Sequence, residues 1–115
     1  MKAKELMIGD WVQVPSEMNR YKRVCSTFDM DSAVLYRPIP LTDAILKANG
    51  FEYRHKDFAA LSHEHPFQLE MVEWPDENGI GLWMIGGLLK IRYVHELQHA
   101  LRLCDIDKVI IIDED

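Results

Sequence analysis

Cysteine is scarce: the 115 residues hold only Cys25 and Cys104, far apart and each in apolar company. That excludes a disulfide-stapled scaffold and predicts two buried thiols in a reducing compartment. Long apolar runs are lacking too. The most hydrophobic stretch, 80–89, is short and broken by glycine, so no membrane span is expected, and the opening MKAKELMIGDW lacks the apolar core of a signal peptide. A cytoplasmic location is therefore expected. There is no G-x-S-x-G, no P-loop and no G-x-G-x-x-G, and Cys25 has no local motif marking it as a nucleophile. Internal repeats, low-complexity segments and interdomain linkers are likewise absent. What is present, 48% hydrophobic and 28% charged residues, describes one globular domain over 1–115, able to build a core without metal or disulfides.

The net charge of −6 is unevenly spread, for residues 1–56 carry nine Lys/Arg against seven Asp/Glu while 57–115 carry four against twelve. An acidic half opposes a phosphate backbone at long range, which argues against nucleic acid as partner. Any such binding would have to use Arg20, Lys22 and Arg23.

Local signals predict an α+β fold. Leu6 to Val14 reads as a strand with a bend at Gly9-Asp10, Tyr21 to Phe28 as a second strand, and Ala33 to Tyr36 as a third, after a turn at 29–32. Together they form a small β meander similar to the first strands of SH3-like barrels. Pro38-Ile39-Pro40 ends that run. A short helix comes next, with Thr42 as N-cap, Asp43 at the positive end of the dipole, Leu41 and Leu46 placed as a hydrophobic staple, and Gly50 past the last turn. Phe51 to Tyr53 is expected as a short strand and 54–66 as a polar loop, with a helical turn near 57–61. Phe67, Leu69 and Met71 alternate with polar residues, and Pro75-Asp76-Glu77-Asn78-Gly79 then turns the chain into an antiparallel return over 80–85. Leu88 to Ile91 reads as a strand leading into a helix from about Tyr93, packed on the sheet through a stripe of Val94, Leu97, Leu101 and Cys104. The apolar run 108–112 is expected as a terminal strand.

That last helix contains His95-Glu96-Leu97-Gln98-His99, the H-E-x-x-H pattern of zinc peptidases, in which two imidazoles one turn apart converge on the metal and the glutamate acts on its water. A catalytic site needs a third ligand. Six residues past His99 stands Asp105, but Arg102 occupies the position where such enzymes use a glycine to turn the chain back. His63 and His65 offer a second pair, and with His95 and His99 a four-histidine metal site. The competing expectation places His95 and His99 on the solvated side of an amphipathic helix, with Glu96 paired to Arg92.

Three stretches together, E-L-M-I-G-D-W-V, P-I-P-L-T closed by N-G-F, and Y-V-H-E-L-Q, resemble a group of small uncharacterised proteins of Bacteroides-type genomes and their prophages. The resemblance covers both ends and the first helix but not the middle. In that group the last helix often reads closer to Y-V-H-Q-L-Q-N, with Gln and Asn where this chain has Glu96 and His99. It therefore implies a shared structural helix containing Tyr93, His95 and Leu97, with His95 hydrogen-bonded to the sheet, and it supplies no activity. The function expected from all of this leans away from an enzyme: a binding or accessory protein of a mobile element or prophage, without cofactor, membrane or catalytic residue. It would act on an unknown protein partner through exposed Trp74 and Trp83. Two alternatives stand beside it: a compact zinc hydrolase with Glu96 catalytic and His95, His99 and Asp105 on the metal, and a nucleic-acid-binding module using the N-terminal half.

Overall fold

The computed structural model describes residues 6–18, 20–25, 35–55, 58–61, 67–86 and 89–112, and the fold is α+β. Its contacts divide the chain into two units, Met1–Ile39 with Val94–Asp115, and Pro40–Tyr93. Among the described residues, no helix is long and apolar enough to cross a membrane.

In the first unit, strand β1 (Trp11–Val14) pairs antiparallel with β2 (Arg20–Arg23), so that Trp11 faces Arg23 and Val14 faces Arg20. Side chains alternate between the faces of a strand, and one face carries Val12 and Val14 into a buried cluster with Leu6, Val24 and Tyr36. The predicted first strand is divided: residues 8 and 9 form a turn, with Gly9 at φ +98, and pairing begins only at Trp11. The second is shorter than expected, and its 26–28 portion lies outside the described residues. Of the third, 33–34 also lie outside; Leu35 and Tyr36 are not in a strand, and Arg37 makes a lone bridge to Gln13. The C-terminal helix, here α2 (Val94–Leu103), packs on β1. Val94, Leu97, Ala100 and Leu101 are its buried stripe, whereas Cys104 falls past the last turn and is exposed.

Cys25 is exposed as well, its Sγ 3.3 Å from the Arg23 carbonyl, so the expectation of two buried thiols is corrected. Apolar neighbours in sequence do not bury a thiol when the helix or strand ends beside it. The tail 108–112 forms no strand. It nonetheless alternates, with Ile110 and Ile112 buried and Val109 and Ile111 exposed, and the indole Nε1 of Trp11 donates to the Ile110 carbonyl at 2.7 Å. A side-chain donor anchors it.

In the second unit, α1 (Asp43–Ala48) begins as its sequence predicts. The Thr42 hydroxyl accepts from the Ile45 amide at 3.2 Å, Leu41 and Leu46 are buried, and Gly50 takes the left-handed φ of +86 that ends the helix. Five strands succeed it as a sequential antiparallel meander: β3 (Glu52–His55), β4 (Phe58–Ala60), β5 (Gln68–Glu73), β6 (Leu82–Ile85) and β7 (Leu89–Ile91). β4 replaces the helical turn expected near 57–61. Alanine has no strand preference of its own, and Ala59 and Ala60 are held by pairing to neighbours on both sides. Ala59 stands opposite Leu69 and Trp83 opposite Ile91, all buried, and the rings of Phe51 and Phe67 meet edge to face at 6.3 Å. Trp83 is only 1% exposed, which corrects its expected place on the surface. The β5–β6 turn closes on Asp76, whose Oδ1 accepts from Asn78 N at 2.8 Å and Ile80 N at 3.0 Å. The unit's two ends meet: Pro40 bridges Tyr93, and Leu41 N donates to Arg92 O at 3.0 Å.

Tyr53 on β3 has a buried hydroxyl without a hydrogen-bond partner among the described residues, and the Lys47 Nζ lies 5.2 Å from its ring centroid. Burial first, and the Asp43 carboxylate second, push its pKa from the ordinary 10.0 up to about 12. A folded pKa above the unfolded one means the fold favours the neutral phenol. That contribution is complete below pH 10.0 and disappears as pH rises through about 12. Phenol absorbance should therefore show one late-titrating tyrosine that Tyr53→Phe removes. Thr42→Ala, which strips the N-cap, should lower stability by about 1 kcal/mol in urea denaturation.

Candidate functional site

The residues singled out in the last helix converge on the turn before β1. Gly9 at φ +98 lets the chain fold back so that Asp10 N donates to Met7 O at 3.0 Å, and the Asp10 side chain then points inward with no exposure. Its Oδ2 accepts from Met7 N at 2.8 Å and meets His99 Nε2 at 2.5 Å, while Oδ1 faces Arg102 Nη1 at 3.5 Å. A carboxylate only accepts hydrogen bonds, so His99 donates through Nε2. Gln98 completes the contact, its Oε1 accepting from Trp11 N at 2.8 Å and its Nε2 donating to Gly9 O at 2.9 Å. Arg102 Nη2 reaches Ile8 O at 3.1 Å. A Cβ at position 9 would sit 3.0 Å from that same Nη2, the movable end of a long side chain, so it is the φ of +98 rather than this contact that calls for glycine.

One helical face thus reads a four-residue turn. Gln98 and Arg102 are four apart and His99 lies between them, a spacing that presents all three over one turn of helix. Burying the charge of Asp10 costs several kcal/mol unless it is paired, and these partners offset that cost.

His95 is 5% exposed and stacks edge-on with His99 at 5.6 Å between centroids. Neither imidazole stands on a solvated helix face, and that expectation is corrected: the buried face is wider than the apolar stripe because Gln98 and His95 join it. Glu96 is intermediate in exposure, Arg92 reaches Glu73 at 3.6 Å, and Asp105 is exposed beyond the helix at φ +57. For His99 to ligate zinc through Nε2 it would have to release Asp10. Among the described residues, no three His, Cys, Asp or Glu are grouped to hold a metal ion, and His63 and His65 lie outside those residues.

Sequence reasoning missed Asp10 and Gln98. Gln98 carried a signal, since it stands at i+4 from Val94 within the buried stripe, and a polar side chain there must find partners. Asp10 carried none beyond its turn, because its partner is 89 residues away.

The basic residues form a second cluster in the same unit. Arg20, Lys22 and Arg23 line a cleft of about 390 Å³ with Trp11, Tyr21, Glu17 and Cys25. The Arg23 guanidinium lies 5.8 Å from the Trp11 ring centroid, and Lys22 Nζ 5.9 Å from that of Tyr36.

No protein-family model, curated protein or solved structure matches the chain.

The Asp10–His99 contact should appear as a coupling. His99→Leu is expected to lower stability by about 3 kcal/mol, by leaving the Asp10 charge buried and short of a donor. In an Asp10→Asn background the same replacement should cost much less. Additive urea-denaturation free energies would remove the contact's energetic role.

Proposed function

We propose that the chain is a non-enzymatic binding or accessory protein of a mobile element or prophage, acting through contacts with another protein, and that Trp74 anchors those contacts. The observation that carries this reading is Trp74, 69% exposed where β5 runs into the hairpin turn, with Val72 at 48% two residues earlier. A tryptophan covered by a partner buries about 150–250 Å². At about 25 cal/mol per Å² this is about 4–6 kcal/mol before the costs of association.

The hairpin suits such an anchor because it is held in one shape. Asp76 takes two backbone amides with its side chain, Asp76 N donates back to Ile80 O at 3.1 Å, and a Cβ at Gly81 would lie 3.1 Å from Glu73 O. Little conformational entropy is then lost on binding. The histidines also support a structural use of the H-E-x-x-H helix, since His99 is spent on Asp10 and His95 is buried. Association with a mobile element rests on the resemblance of the three sequence stretches.

Immobilised protein should retain a reproducible protein from a lysate of the source organism. Trp74→Ala should weaken that interaction at least about tenfold, the effect of losing a hot-spot aromatic. The variant's denaturation midpoint should not move. Retention of nothing reproducible, or retention indifferent to Trp74, would refute the proposal.

A further inference from the structure

The β5–β6 hairpin carries a charge pattern as well as an exposed ring. From 57 to 89 the sequence has no Lys or Arg and six carboxylates, Asp57, Glu64, Glu70, Glu73, Asp76 and Glu77. Residues 72–78 are all exposed, as is Glu70, so Glu70, Glu73, Asp76 and Glu77 stand at the surface before and after Trp74 in the chain. Among the described residues only Glu73 of these four meets a cation, Arg92 at 3.6 Å. Elsewhere the protein covers its aromatic faces with its own cations. Arg23 lies 5.8 Å from the Trp11 ring centroid, Lys22 5.9 Å from that of Tyr36 and Lys47 5.2 Å from that of Tyr53. Trp74, 69% exposed, has no such cation among the described residues. Indole is the strongest aromatic partner for a cation, and this one is set in a stretch of negative charge.

Building on the protein-contact reading, we infer that the occupant of this hairpin is a basic, arginine-bearing segment of the partner protein, one guanidinium lying over the Trp74 ring and Glu70 and Glu77 pairing with neighbouring cations. Arginine suits the ring better than lysine, because its planar guanidinium stacks on an aromatic face and is the more weakly hydrated cation. A purely apolar partner would cover Trp74 and Val72 but would strip water from carboxylates without replacing it, which costs free energy. A second copy of the chain, at net charge −6, would bring like charge against like. A cationic partner meets neither cost, and the same carboxylates speed its encounter with the hairpin.

NMR of the full chain tests this at the indole N–H signals, that of Trp74 being identified by its loss in Trp74→Phe. The probes are two blocked peptides of equal length, one alternating Arg with Gly and the other Val with Ser. The arginine peptide is expected to move the Trp74 signal, to leave those of the buried Trp11 and Trp83 in place, and to bind more weakly as salt is added. The valine peptide should move none of them. Glu70→Gln with Glu77→Gln should weaken the arginine peptide about three- to tenfold, whereas Asp105→Asn with Asp107→Asn, which removes the same charge from the other unit, should leave it unchanged. Unmoved Trp11 and Trp83 signals in both double variants show that each is folded. Equal weakening by the two pairs, tighter binding of the valine peptide, a silent Trp74 signal, or self-association of the chain through Trp74 would overturn the inference. A lysate protein still retained through Trp74 in any of those cases would leave the protein-contact reading standing, whereas loss of that retention removes both.

Discussion

A single buried carboxylate, that of Asp10, constrains the first unit. It has no exposure, so its burial is tolerable only with donors facing it, and these come from two places: the Met7 amide within its own turn and His99 on the last helix, both on Oδ2, with Arg102 alongside Oδ1. The geometry that satisfies it also fixes its neighbours. Once His99 is seated on Asp10, Gln98 one residue earlier falls on the Gly9 carbonyl and the Trp11 amide, and Trp11 in turn fixes the tail through Ile110. Strand β1 therefore begins where it does because the residues before it belong to the helix's hydrogen-bond network.

This arrangement accounts for a pattern that otherwise suggests metal chemistry. The spacing of H-E-x-x-H serves zinc because i and i+4 side chains share a helix face, and the same geometry serves any object docked on that face. Here the object is a turn of the same chain. The second unit is built on different terms, with apolar cross-strand pairs such as Ala59 with Leu69 and Trp83 with Ile91 carrying a sequential meander.

Features governed by neighbours in sequence were legible. The Thr42 cap, the left-handed Gly50, the Asp76 turn and the alternation of β5 each depend on residues within a few positions, and each formed as expected. β4 was not legible, since Ala59 and Ala60 become strand only through partners on both sides. The run 108–112 erred in the opposite direction: its apolar content suggested a ladder, whereas a tryptophan side chain supplies the attachment. Of the candidate site, the helix residues could be named from sequence but not what they hold. Two further contacts reach the start and the face of the last helix. The I-G-D-W turn docks on the H-E-L-Q-H helix, and in the P-I-P-L-T segment Ile39 accepts from Val94 while Leu41 donates to Arg92.

The closure of Pro40 against Tyr93 bears on how the molecule is made. The described strands of the meander pair with one another within one uninterrupted stretch, so that sheet can form while the ribosome is still synthesising the C-terminal helix and tail. The turn at Asp10 emerges first and must wait for the last helix, which arrives after the whole meander. A nascent chain stalled before that helix carries a stranded anion, a state open to chaperone capture until translation delivers His99.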